Sequence, residues 1–372
     1  MVILFWSIAD GIASFALPIY MEQSLKNLSL VGLIFGCSSV FGLITAFILG
    51  SEQKGKTFKP YFYLSAFLAI GCFLLATIAK SWQGFLIIMI LWGIYYESMN
   101  FCWIDFLGRF SRKWEHANVS GVLEMFSFLG YLLAPLITGF IVLIDRVPMT
   151  TSIFFMLIAL LTFLIWFGKK RVDQDPPVRK LKLGQEFKLW YKVAKKGFWV
   201  LLAMLLYTIF WCSLIWSMGP IMLINQFGPK SAYIMSCFLI PGVFLQGYTG
   251  HLADKKGKRK FLILGLILAG LFMSLFSLSN NFVYKIIMAL ASAVGVAFVW
   301  PAADGLFADL VDRYKEEEEE VAGIRGVAHN LGYIIGPILA GLLGSLLGLP
   351  ATFFLYGIFL VFSAVIMKFI WK

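Results

Sequence analysis

Twelve apolar runs, each closed off by polar turns, govern what this chain can become. They fall at about 2–20, 30–50, 60–79, 82–106, 119–143, 149–168, 197–217, 229–249, 261–280, 284–306, 322–346 and 350–371. Each can cross a bilayer as a helix, which takes about 20 apolar residues. Backbone polar groups in hydrocarbon must bond within the chain. The period-two alternation of a barrel strand is absent, so every run is expected to be helical. The fold class that follows is an all-α integral membrane protein with twelve transmembrane helices. Composition agrees: 60% of residues are hydrophobic and 14% charged, a balance outside the range of soluble domains.

Charge gives the orientation. The net charge is +11, which in a soluble protein would suggest nucleic acid. Here the cations crowd into a few short connections, so the partner they imply is the bilayer surface, and no nucleic acid is expected. Lys54, Lys56 and Lys59 share one connection, and Arg109, Arg112 and Lys113 the next but one. Residues 169–196 and 255–260 are strongly basic, while alternate connections hold single cations such as Lys26, Lys80, Arg146 and Lys230. Cation-rich connections face the cytoplasm. A multi-pass protein of the inner or plasma membrane with both termini cytoplasmic is expected. The first run has Asp10 at its middle and no basic stretch before it, so it reads as a span, not a cleaved leader. Its short lead leaves a start further upstream as an alternative.

Asp175-Pro176-Pro177 interrupts any helix within 169–196. This divides the chain into a bundle over 1–168, a basic cytoplasmic linker over 169–196 and a second bundle over 197–372. Within the linker, Leu183 to Lys196 can form an amphipathic helix. Phe187, Trp190 and Val193 lie toward one face, and Lys188, Lys192, Lys195 and Lys196 toward the other, as suits the membrane interface. A disordered basic linker is the alternative.

The two bundles are repeats. Gly121, Gly130, Tyr131, Pro135 and Gly139 recur as Gly323, Gly332, Tyr333, Pro337 and Gly341, each pair 202 positions apart. Pro18-Ile19 and Pro220-Ile221 keep the same offset. Duplicated halves of this kind imply two pseudo-symmetric six-helix bundles.

Between the eighth and ninth runs stands Gly250-His-Leu-Ala-Asp254-Lys-Lys-Gly257-Lys258-Arg259-Lys260. It resembles the signature loop of the major facilitator superfamily. The stretch Gly332-Tyr-Ile-Ile-Gly336-Pro337-Ile-Leu-Ala-Gly341, with its copy Gly130-Tyr-Leu-Leu-Ala-Pro135-Leu-Ile-Thr-Gly139, looks like that family's Gly-Pro-Gly helix motif. The resemblance implies gating by Gly250, Asp254, Gly257, Lys258 and Arg259. It implies helix bending at Gly130, Pro135, Gly139, Gly332, Gly336, Pro337 and Gly341. Asp254 can pair with Lys258 or Arg259, or point at a nearby helix N-terminus; by pseudo-symmetry it would approach the fifth helix near Asn118 to Ser120. Two departures stand out. The first-half copy of the loop has Glu52 at the key acid position and is two residues shorter. The arginine often found in the family's fourth helix is missing from 91–105.

An acid at mid-membrane costs about 2.5–3.5 kcal/mol even on lenient scales, so it must be protonated, paired or wet. Asp10, Glu97 and Glu124 lie on the first, fourth and fifth helices, which the resemblance implies line a central cavity. Ser7, Asp10 and Ser14 share a helix face, as do Gly93, Glu97 and Asn100, and Ser120, Glu124 and Ser127. These acids bind a coupling proton or attract a cationic substrate; the other reading is an acid bonded to a neighbouring helix. In the second half, His329 can relay protons beside Asn330, or bond across a helix pair. Trp211, Trp216 and Trp300 form a cavity wall or pack. Asp304 and Asp309 fit gating pairs or a solvated helix end, and Glu316–Glu320 a solvated acidic turn. The five cysteines lack metal spacing and read as core residues, and no metal, cofactor or enzyme chemistry is expected. No nucleotide loop of the G-x-x-x-x-G-K-S/T type is present. The resemblance therefore implies a monomeric secondary active transporter using alternating access. Proton-coupled efflux of a hydrophobic or cationic small molecule leads. A carrier of sugars or other neutral metabolites, and a non-transporting sensor of the same fold, are the alternatives.

Overall fold

The computed structural model describes the backbone of residues 1–52, 57–110, 116–144, 146–168, 183–312 and 318–371. Side chains are described except at 50–56, 108–121, 145, 169–187, 313–323 and 372. The helices are α1 (Val2–Leu25), α2 (Leu28–Glu52), α3 (Phe58–Ile78), α4 (Trp82–Phe110), α5 (His116–Ile141), α6 (Val147–Phe167) and α7 (Leu183–Lys196). They continue as α8 (Phe198–Trp211), a π-helical turn (Cys212–Ser217), α9 (Met218–Phe227), α10 (Ser231–Lys256) and α11 (Lys258–Phe276). The last three are α12 (Phe282–Val311), α13 (Glu318–Leu347) and α14 (Leu349–Ile370). No strand occurs among the described residues.

Eleven stretches among the described residues are long and apolar enough to cross a bilayer. One of them, Phe198–Lys256, is 59 residues long, far beyond a single crossing. It turns at Gly228, whose φ of +55° suits a residue without a Cβ, and so supplies two spans. The total is then the twelve that hydropathy predicts.

Two element boundaries differ from the expected ones. The seventh span runs on to Phe227, because the wide π turn at 212–217 lets the helix continue through Pro220. The signature stretch is nearly all helix, with α10 reaching Lys256 and α11 starting at Lys258. Gly257, at φ +105°, makes the whole reversal in one residue.

The chain forms two compact units, Met1–Arg179 and Lys180–Lys372. In the first, α1 packs on α5 and α6, and α4 on α2 and α3. In the second, α8 packs on α13, and α12 on α10 and α11. The repeated glycines explain the shared pattern. A Cβ on Gly130 would stand 2.7 Å from Ser7 Cβ and 2.8 Å from the Leu4 carbonyl oxygen. A Cβ on Gly332 would stand 2.6 Å from Thr208 Cβ. Both approaches are too close for any side chain, so the fifth span of each unit lies on the first backbone to backbone. Pro135 and Pro337 sit within α5 and α13, which continue past them.

Candidate functional site

In the first unit the site is built on Asp10, midway along α1 and 2% exposed. Tyr95 of α4 donates its hydroxyl to Asp10 Oδ1 at 2.5 Å, and Tyr131 of α5 donates to Oδ2 at 2.8 Å. One carboxyl thus joins three spans. The surroundings are otherwise apolar and aromatic: Trp6 lies edge-on to Tyr95, with Phe73 and Trp92 on its other sides. Ser7 and Ser127 hydroxyls lie 3.0 Å apart and bind α1 to α5 one turn away. A buried carboxylate needs such donors, since each hydrogen bond to a charged group is worth about 1.5–3 kcal/mol.

Glu97 is also buried, at 7% exposed, and accepts from Asn100 Nδ2 at 3.3 Å on its own helix. Tyr96 lies within electrostatic reach of both Asp10 and Glu97. Glu124 and Asn100 are exposed. The structure therefore buries Asp10 and Glu97 in the first unit and leaves Glu124 at its surface. Tyr95 and Tyr131 are the partners that the sequence reading lacked. Tyr131 stood out only as a repeated residue, and Tyr95 gave no signal beyond its place two residues before Glu97.

The second unit gathers a different set. Tyr207 stacks on Trp211 and meets Trp300 edge-on, with centroids 6.1 and 5.4 Å apart. Trp300 meets the His329 ring at 6.2 Å, and His329 meets Tyr333 at 4.8 Å. The hydroxyl of Thr208 lies 3.4 Å from His329 Nδ1. Asp304 accepts from Arg325 at 2.6 Å and from the Trp300 indole. So two of the three tryptophans join His329 in one aromatic cluster with an ion pair at its edge. Trp211 is buried within it, and Trp216 is half-buried on the π turn. Asn330 donates back to the Gly326 carbonyl. Lys285 is a further residue that sequence reading missed, although a single cation in the run 284–306 was a visible signal. It is fully buried and donates to the Phe276 carbonyl at 3.1 Å, the last of α11, with its ammonium over the Phe276 ring. A cation at a helix C-terminus is favourable.

At the α10–α11 turn, Lys258 is the centre. It donates to Asp309 at 2.7 Å and to the Gly305 carbonyl at 3.2 Å, and pairs with Asp254 at 3.5 Å. Asp254 thus takes the local pairing, and Asp309 at the end of α12 pairs with the same lysine. Arg259 donates to the Lys368 carbonyl near the end of α14 and lies over Trp371. Gly250 faces Pro301 of α12, where an added Cβ would stand 3.3 Å from the ring. The side chains of Asn118 to Ser120 and of Glu316–Glu320 lie outside the described residues.

Two six-span units, the first with acids and both with aromatics buried inside, define a two-bundle membrane carrier. A family model described as Major Facilitator Superfamily matches residues 1–233 and 212–372, and the chain belongs to that family of transporters, not to any enzyme family. It is 27% identical over 145 residues to "Multidrug resistance protein 2" of Bacillus subtilis, 39% of this chain and 36% of that protein. It is 25% identical over 118 residues to "Quinolone resistance protein NorA" of Staphylococcus aureus, 32% of this chain and 30% of that protein. The match spans about a third of the length of these relatives. Among solved structures, the nucleoside transporter NupG superposes with a TM-score of 0.79 at 11% identity, covering 100% of this chain and 97% of that one. A POT family transporter in complex with 5-aminolevulinic acid superposes at 0.77 and 15% identity, covering 99% and 94%. At such identities these likenesses speak to the fold.

Proposed function

We propose that the protein is a secondary active transporter that exchanges protons for a hydrophobic or cationic small molecule and exports it. The observation that carries this reading is Asp10. A carboxyl is buried at the middle of a membrane span, with two phenols as partners and no basic side chain among its hydrogen-bond donors in the described residues. Such a group is costly to keep, and proton binding gives it a use. The relatives named for multidrug and quinolone resistance support export. Asp10 and Glu97 carry the coupling proton; the Trp300–His329 aromatic cluster supplies flat apolar surface for the cargo. The Gly250–Arg259 turn, with Asp254, Lys258 and Asp309, works the gate. The termini face the cytoplasm, where the cation-rich turns belong. The protein works as a monomer, and proton entry down the membrane potential supplies about 2.3 kcal/mol per charge per 100 mV.

The test is proton flux in proteoliposomes, read by a lumenal pH dye, with ethidium as a lipophilic aromatic cation. Wild-type protein should move protons only when the cation is present. Asp10→Asn should abolish that coupling and Glu97→Gln should reduce it at least tenfold. Undiminished coupled flux in Asp10→Asn overturns the reading.

A further inference from the structure

Helix α7 has no part in the transport reading, yet it is built into the second unit. Val193 is fully buried and Leu189 is 7% exposed; the helix packs on α8 and α13. It ends at Gly197, where an added Cβ would stand 2.4 Å from Leu310 Cδ2 of α12. This seat fixes the rotation of the helix. The amphipathic pattern alone offers Val193 to lipid, but the protein takes that face for itself. Phe187, the other end of the expected apolar face, lies outside the described side chains.

The opposite face is left uncovered by the unit. At about 100° per residue, Lys188, Tyr191, Lys192 and Lys195 share it. All four are exposed, and Tyr191 is 74% exposed. A tyrosine between lysines is the combination found at headgroup level, where rings and lysine stems meet carbon while their polar ends stay wet. The level is right as well. Phe198, two residues beyond the end of α7, opens a membrane-spanning helix and is itself 52% exposed. The same end of the unit carries the exposed Lys255, Lys256 and Lys260.

We propose that α7 is a binding surface for the anionic phospholipids of its own bilayer, with Lys188 and Lys195 reading the headgroup charge around Tyr191. Leu189, Val193 and Gly197 seat this surface against α8, α12 and α13. The surface requires no assumption about cargo, direction or drive.

The test uses the purified full chain and does not require transport. Native mass spectrometry in detergent, with equimolar phosphatidylglycerol and phosphatidylcholine added, reads how many of each lipid are retained. Wild-type protein should prefer phosphatidylglycerol. A cation near an anionic surface is worth about 1 kcal/mol, so K188Q/K195Q should cut the preference by roughly tenfold to thirtyfold at low salt. Its melting temperature should hold, because the buried Leu189–Val193 face is untouched. Equal retention of the two lipids by wild type overturns the proposal, as does an unchanged preference in K188Q/K195Q. A preference that appears only after Glu316–Glu320 are changed to glutamine also overturns it, since the lysines then serve an acidic segment of this chain.

Discussion

Asp10 is held by two phenols that the chain delivers from 85 and 121 residues away. That separation is why the sequence alone could place the acid but not its partners. A carboxyl in an apolar run announces itself by its cost; a tyrosine in the same run announces nothing. The two hydroxyls also make a sharp prediction. Each is expected to contribute about 1.5–3 kcal/mol while Asp10 is charged. Tyr95→Phe and Tyr131→Phe should each lower the melting temperature of the purified protein at neutral pH. In the D10N background the same two changes should cost much less, because the charged acceptor has gone. A double-mutant cycle checks this. Equal losses in both backgrounds would mean that the tyrosines act through packing and not through the carboxyl. Lys285 repeats the lesson: its charge was visible, but its use in closing α11 through the Phe276 carbonyl depends on a neighbour across a turn.

At the scale of helices, the crossing of the first and fifth spans is a glycine contact made twice. Gly130 lies against Ser7 and Leu4, and Gly332 against Thr208 and Ile209. Leucine at either site must push two backbones apart. Overpacking of this kind costs typically about 1–3 kcal/mol. Gly130→Leu and Gly332→Leu are expected to lower the yield of folded protein on size-exclusion chromatography, each to a similar extent. A full yield from either variant would show that its unit has slack at the crossing. This element was legible beforehand because the 202-residue offset marks the same small residues in both halves. Nearly all the spans were legible too, since hydropathy over a membrane-length window leaves little choice of structure. The π turn at Cys212–Ser217 was not. It is a shift of backbone hydrogen bonds by one residue, and no composition marks it. The seat of α7 was only half legible. Amphipathic spacing gave the helix and its lysine face, but not that the Val193 side is claimed by the bundle.

Over the whole molecule, duplication has been kept in the frame and abandoned in the chemistry. The repeat position of Asp10 is Cys212, which opens the π turn. The repeat of Tyr131 is Tyr333, which faces His329 and not a carboxylate. The first unit thus buries a carboxyl under two phenols, while the second gathers an aromatic cluster edged by the Asp304–Arg325 pair. Such divergence requires that each unit hold its shape by its own contacts, or a change in one would distort the other. The buried cores agree: α1 carries its load against α4, α5 and α6, and α12 against α10 and α11. Residues 1–179 and 180–372, expressed separately, should therefore each insert into membranes and resist protease as a six-span unit. The second piece should keep α7, because Val193 and Gly197 are packed against its own helices. Limited proteolysis of the two membrane fractions checks this. Rapid digestion of either piece within its spans would mean that the other half is needed to complete its core, and that the repeats are partners in folding as well as in function.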